Sequence, residues 1–579
     1  MSVLLIYPPF THPRFPQLAL ATLGAHLQRA GFPAAAWDAN RAFFRFLLTP
    51  ARLAQGLTQV TARLTELDGR ASLTLDESRE YLSWATLLQS LPAGPLDWDA
   101  LRRMTDKQSR EEAFRLAVAL ASAPHRPETL SVTAGVGAVS YQAPCSNYST
   151  QALLAAAARP GLLAGFCEET LPGVLAAGRP DLAGISVAVE EQILPALTCA
   201  RALKALVPGV RVVLGGSFVS TAMRRVENPA FFNLVDGLAV DDGEEPLVEL
   251  ARQAPEGRWQ PERVAGLSFL AGGRVRHNPP PSPQNLESLA VPDFGLFDLD
   301  AYLSPRSEMA LPFRSSRGCY WAKCAFCRTG SPIVCHYQQA GPEFLHQSLT
   351  ALAADTGVTS FAFTDEASAP AALERLCRLL LDKGPQITWG TCFRFERALT
   401  PERLSLFHQA GCLSINFGLE SYHDRLLALI QKGTNRELID QVLAAAAAAG
   451  LATWAYMMVG LPTESEQEAW TGYRALQDLQ ARGLLTGFGY SPFQLYPDSL
   501  LFTARHRYGV NGLTIPPDQD LLGPLLEFQT PGMSREQALR LATRFNQGEP
   551  PRFSPTVRLH GKRVHLRHDL ARLFRQVHF

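Results

Sequence analysis

A chain of 579 residues exceeds what one hydrophobic core organises and implies roughly three or four domains. Its composition, 46% apolar and 19% charged, is that of a folded globular protein, and 54 basic residues against 54 acidic ones remove any electrostatic case for nucleic acid or a membrane surface as partner. The first residues lack a basic-then-apolar leader, and no apolar run approaches the roughly twenty residues that a bilayer demands, so a reducing cytoplasm is the expected compartment.

Val3 to Tyr7 is a short apolar run stopped by Pro8-Pro9, as expected of a buried parallel strand at its carboxyl edge. Leu20, Leu23 and Leu27 then recur at helical spacing up to Gly31, a suitable C-cap, and Ala34 to Trp37 reads as a second strand followed by Asp38-Ala39-Asn40. This β-α-β opening predicts an α/β domain with a doubly wound, Rossmann-like sheet. From about 41 to 160, helical segments (49–66, 77–91, 109–122 and 150–158) follow one another without a clear strand and predict a helical insertion. Strands resume at 182–189, at Val212 running into Gly215-Gly216, and at Gly237, with a helix expected over 191–206. Paired glycines at such an edge let backbone approach a ligand, although any one pair is equally explained by generic α/β packing. The stiff, proline-rich stretch 278–283 ends this domain, placed at 1–285.

Cys319, Cys324 and Cys327 fall within nine residues. Three thiolates on one short loop suit three corners of a cubane [4Fe-4S] cluster, because soft sulfur ligands favour iron, and one iron then stays open. A partial zinc site competes, but structural zinc takes four protein ligands, and Cys335 and His336 come only eight and nine residues after Cys327. Disulfides and unligated thiols are the remaining readings; the ten cysteines are scattered.

Beyond the loop, strands predicted at 360–364, 387–392, 413–418 and 453–460 alternate with helices, the clearest over 437–449. Alternation of this kind predicts a partial parallel β/α barrel over 286–500. Charged residues stand at the strand ends: Asp365 and Glu366, Arg394, Glu420, and Glu464. Barrel enzymes place their chemistry there, whereas the bland reading of each is a solvated loop end. From 501 to 579 the signals support only a small C-terminal α+β region, with a basic, His-rich stretch at 560–570 that is either solvated or turned to an acidic partner.

Taken in order, the cysteine loop, Asp365-Glu366, Gly418-Leu419-Glu420-Ser421, Lys432-Gly433-Thr434 and Gly460-Leu461-Pro462-Thr463-Glu464 resemble the radical S-adenosylmethionine (SAM) superfamily, specifically its cobalamin-binding branch. The likeness covers about 1–45, 165–255 and 310–505. It departs from the common Cys-x3-Cys-x2-Cys spacing, since four residues separate Cys319 from Cys324. The resemblance implies a [4Fe-4S] cluster on the three cysteines, SAM chelating the open iron, and reductive cleavage of SAM to a 5′-deoxyadenosyl radical. By the same resemblance, Asp365 and Glu366 would receive the SAM ammonium, Arg394 and Glu420 its carboxylate and ribose, and Phe326 with Gly460 and Pro462 its adenine. Ser186, Gly215 and Gly216 match cobalamin-binding positions, although Ala188 replaces the family's Leu, and Asn40 stands where that branch has its cobalt-ligating His, so cobalamin without a histidine ligand is expected. The implied function is methyl transfer to an unactivated carbon of a peptide or natural-product intermediate, with a flavodoxin or ferredoxin as reductant. Ring closure, rearrangement or oxidation with cobalamin as electron carrier is the first alternative. A radical SAM core beside an N-terminal module that no longer binds cobalamin is the second.

Overall fold

Val, Leu, Leu, Ile and Tyr at 3–7 are all buried, because a strand inside a parallel sheet is covered on both faces. The structure, a computed structural model, describes residues 2–125, 128–132, 139–255, 258–328, 336–523 and 527–547, with the backbone of a hairpin at Thr556–Leu559 and Lys562–His565. Most of the basic stretch at 560–570 therefore lies outside the described residues, as does Cys335. Residues 1–280 and 296–305 belong to one compact unit, and 281–295 and 306–550 to a second.

In the first unit, β1 (Val3–Tyr7) pairs in parallel with β2 (Ala34–Asp38) and β3 (Leu182–Ser186). The parallel sheet continues through β4 (Arg211–Gly215) and β5 (Gly237–Ala239). Two antiparallel strands that the sequence did not announce, β6 (Leu267–Ala271) and β7 (Arg274–His277), complete the order β2-β1-β3-β4-β5-β6-β7. Helices Leu18–Arg29 and Glu244–Gln253 pack together over a core that includes Leu5, Leu20, Leu27, Val213 and Leu247. Winding reverses between β1 and β3, so the crevice where such sheets take ligands opens past Tyr7 and Ser186. The segment 296–305 is fastened to this unit by the Tyr302 hydroxyl, which donates to buried Asp38 at 2.6 Å.

The insertion carries helices Pro50–Asp68, Leu75–Ser90 and Lys107–Ser122, near the expected bounds. It is not without strands, however: Thr129–Val132 and Val139–Gln142 pair antiparallel. These strands are short and polar (Thr-Leu-Ser-Val, Val-Ser-Tyr-Gln), so no apolar run betrays them.

The second unit is built on six parallel strands in chain order: β8 (Leu311–Phe313), β9 (Ser360–Phe363), β10 (Thr388–Phe393), β11 (Cys412–Glu420), β12 (Ala452–Val459) and β13 (Gly487–Pro492). The sheet does not close, so the barrel is partial, as expected. Burial alternates along β10 and β12 and along β11 from Ser414 onward. Trp389, Phe393, Ile415, Phe417, Ala455 and Val459 are buried on one face, while Thr388, Cys392, Asn416, Trp454 and Tyr456 line a half-exposed opposite face. Helix Arg535–Gln547 shields the edge strand: the Asn546 side chain accepts from Tyr490 N at 2.7 Å and donates to Tyr490 O at 2.8 Å. Among the described residues no helix is long and apolar enough to cross a membrane.

Candidate active site

The three thiols sit on the turn that follows β8, and Asp365 holds its entrance. One oxygen of this buried carboxylate accepts from Ser315 N at 2.8 Å and Ser316 N at 2.9 Å. The other accepts from the Ser368 hydroxyl at 2.7 Å and from that of Ser315. Ser316–Arg317 then pairs antiparallel with Gln338–Gln339 across the base of the loop. Inside it, Cys324 is buried and Cys319 and Cys327 are half-buried.

A second segment, Ile430 to Gly433, walls the loop. Ala325 N donates to Ile430 O at 2.8 Å, and the Trp321 indole donates to Gln431 O at 3.1 Å. Gly433 adopts φ +74, and a Cβ there would collide with the Trp321 ring, so glycine is needed both for the turn and for the close approach. Arg394 stacks its guanidinium on the other partner of this wall, 4.0 Å from the Trp321 ring centroid, and donates to Lys432 O at 2.5 Å.

Among the described residues no three His, Cys, Asp or Glu side chains converge on a single ion. Burial pushes Cys327 up to about 12, with Cys324 adding to the rise. Burial also raises Cys324, against which Lys432 and then Arg394 act. Two buried cations thus favour the thiolate form that metal ligation requires.

Strand parity separates the predicted carboxylates. Glu366 follows Ala362 and Thr364 on the open side of the sheet, whereas Asp365 follows Phe361 and Phe363 on the packed side. The Asp365 carboxylate is thereby filled by chain donors, which leaves Glu366 as the acidic group of this strand end that faces the open sheet. Glu366 is accessible, yet its crowded surroundings push its carboxyl up, opposed by Arg314. At the end of β11, Glu420 adopts φ +69, a left-handed conformation that disfavours a side chain, and accepts from Lys432 Nζ at 2.8 Å. Burial pushes the Lys432 ammonium down, but Glu420 and then Cys324 more than offset this, and the net shift is upward. Arg394 Nε is buried without a hydrogen-bond partner.

Phe326 lies between Cys324 and Cys327 and packs against an apolar cluster that includes Leu426, Ile430 and Leu461; Met458 borders the same cluster. Leu461 belongs to the turn Gly460–Glu464 after β12, so the structure brings Phe326, Gly460 and Pro462 to one neighbourhood. The turn is organised from within: one oxygen of buried Glu464 accepts from Gly460 N at 2.7 Å and Leu461 N at 3.0 Å. Burial pushes this carboxyl up to about 7.

In the first unit, Ser186 and Gly215 are direct neighbours across β3 and β4. Gly216 has φ +102 and backs onto Val187, whose backbone a Cβ would strike, so this glycine answers to loop packing. Asn40 is buried, and its side-chain oxygen accepts from Thr11 N at 2.8 Å, which ties it to the loop after β1. Gln192, missed in the sequence, bridges the crevice: its amide donates to Pro8 O at 2.6 Å and accepts from Ala188 N at 2.8 Å.

Residues 313–475 match the family model described as the radical SAM superfamily. The chain thus carries a radical SAM domain over these residues. It is 27% identical over 299 residues, half of this chain and 62% of the relative, to an uncharacterized methyltransferase of Pyrococcus horikoshii. It is 24% identical over 308 residues, 52% of this chain and 54% of the relative, to an anaerobic magnesium-protoporphyrin IX monomethyl ester cyclase of Rubrivivax gelatinosus. The matches thus span between about half and three-fifths of these relatives' lengths. The fold is similar to the radical SAM methyltransferase TsrM of Kitasatospora setae, solved with cobalamin and a [4Fe-4S] cluster, with a TM-score of 0.54 and 15% identity over 93% of this chain and 81% of that one. It is also similar to OxsB, a cobalamin-dependent SAM radical enzyme solved with aqua-cobalamin and SAM, with a TM-score of 0.51 and 16% identity over 65% of this chain and 59% of that one.

Proposed function

We propose that the protein is a cobalamin-dependent radical SAM methyltransferase acting on an unactivated carbon of a peptide or natural-product intermediate. The observation that carries this is the pairing of a three-thiol loop with Glu366, Arg394 and Glu420 at adjacent strand ends beside an open sheet face. The residues fit a [4Fe-4S] cluster: three thiols on one braced loop and two buried cations to offset thiolate charge. When bound, the cluster and SAM would supply the substrate radical and cobalamin the methyl carrier.

Cys319, Cys324 and Cys327 would hold the cluster. Glu366 takes the SAM ammonium, a role that Asp365 gives up to anchoring the loop. Arg394, with its unpartnered Nε, takes the SAM carboxylate, and Glu420 the ribose. Phe326, Gly460 and Pro462 enclose the adenine. In the first unit, Ser186, Gly215 and Gly216 border the cobalamin crevice. Asn40 is not a cobalt ligand in this reading, because its oxygen is already committed to Thr11. Trp454 and Tyr456 on the open face suit an aromatic or apolar portion of the substrate, and the TsrM complex solved with tryptophan supports such a class.

Anaerobic protein reconstituted with iron, sulfide and cobalamin, then given SAM, a reductant and a tryptophan-containing peptide, tests the reading by mass analysis. Methyl transfer forms 5′-deoxyadenosine and S-adenosylhomocysteine together, and the peptide gains one methylene mass. Deoxyadenosine without S-adenosylhomocysteine contradicts it and favours cyclisation or oxidation.

A further inference from the structure

A groove of about 450 Å³ lies against the cysteine loop, with Trp321 and Lys323 in its lining. Trp321, Lys323, Arg397, Gln431, Gly433 and Asn435 are among its lining, which includes no carboxylate. Lys323 and Arg397 are exposed, and neither pairs with a carboxylate among the described residues; the Lys323 ammonium rests 5.0 Å from the Trp321 ring centroid. Glu396, the acidic neighbour of Arg397 in sequence, faces the Tyr320 phenol. Trp321 and Lys323 belong to the four residues that separate Cys319 from Cys324, so the groove floor is the polypeptide of the thiol loop itself. The floor is also stiff: Trp321 is stacked on Arg394, seated on Gly433 and hydrogen-bonded to Gln431 O.

We propose that this groove is the docking site of an acidic one-electron carrier protein, which delivers its electron to the cluster across the Trp321 edge. The proposal rests on the cluster reading above. A formally neutral chain gives no overall attraction, so a local pair of uncompensated cations is what steers an acidic partner to this face. In the step, the carrier's reduced flavin or iron–sulfur group loses one electron and the cluster gains it; no bond is made or broken. The groove places that group against the loop rather than against the open sheet face, leaving the latter free for SAM and substrate.

The test follows cluster reduction by the loss of its visible absorbance in reconstituted full-length protein, mixed with a flavodoxin hydroquinone or with dithionite. K323E/R397E is expected to slow reduction by flavodoxin roughly ten-fold at low salt, to lose most of the salt dependence, and to leave the dithionite rate unchanged. K383E, at the far end of helix Pro370–Lys383, is a remote charge-reversal control and should change neither rate. Equal flavodoxin rates for the wild type and K323E/R397E overturn the docking site while leaving the cluster reading intact. A wild-type chain that takes up no cluster overturns the cluster reading instead.

Discussion

Lys432 Nζ lies 2.8 Å from Glu420 Oε1, with both side chains largely buried next to the cysteine loop. A buried pair of this kind contributes little over a hydrophobic substitute, but breaking it strands a charge. Lys432→Met is therefore expected to destabilise the fold by about 3–5 kcal/mol, read by urea denaturation. Removing the cation also leaves the reduced cluster less compensated, so a redox titration followed by electron paramagnetic resonance should give a more negative potential, with Lys432→Arg restoring it.

Asp365 is expected to act through the loop and not by touching SAM. Asp365→Ala removes the acceptor of Ser315 N, Ser316 N and the Ser315 hydroxyl, while the Ser368 hydroxyl keeps Thr391 as a partner, and should cost roughly 3–5 kcal/mol. Iron bound per chain after reconstitution should fall with it. Glu366→Gln, by contrast, should retain full iron and weaken SAM binding, measured by equilibrium dialysis.

Glu464 makes the stability pH-dependent. Its carboxyl is raised from 4.5 to about 7 by burial, so the folded chain holds this proton more tightly than the unfolded one. The stabilisation is full below about 4.5 and is lost as pH rises through about 7, on the order of 3 kcal/mol in all. Glu464→Gln keeps an acceptor for Gly460 N and Leu461 N and should flatten the slope of urea midpoint against pH across that window.

Asn40→Ala removes the acceptor for Thr11 N and is expected to cost about 1–2 kcal/mol. The visible spectrum of bound corrinoid should not change, because the side chain does not reach the cobalt in this reading. A spectral shift on substitution would contradict that placement.

Much of this was legible in the sequence. Strands β9 to β12 announced themselves as apolar runs ending in charge, and the thiol loop by its spacing. Strand β13 did not: Gly487 and Gly489 replace apolar residues because the Trp454 ring lies against them, and glycine reads as a breaker. Strand β8 is three residues with a central proline and gives no periodic signal. The division of labour between Asp365 and Glu366 was present in the alternation from Phe361 onward and needed only the parity to be followed to the strand end. Lys432 was visible as a motif member, but its meeting with Glu420 depends on the turn through residues 430–433, which no local pattern encodes. Gln192 was hidden for the same reason, since its partner Pro8 is 184 residues away.

The most direct test of the account is the electron paramagnetic resonance spectrum of the reduced, reconstituted protein with and without SAM. A cluster held by Cys319, Cys324 and Cys327 with one open iron predicts a [4Fe-4S]+ signal whose shape changes when SAM binds and which Cys324→Ala abolishes. A signal indifferent to SAM, or one that survives loss of Cys324, would contradict it.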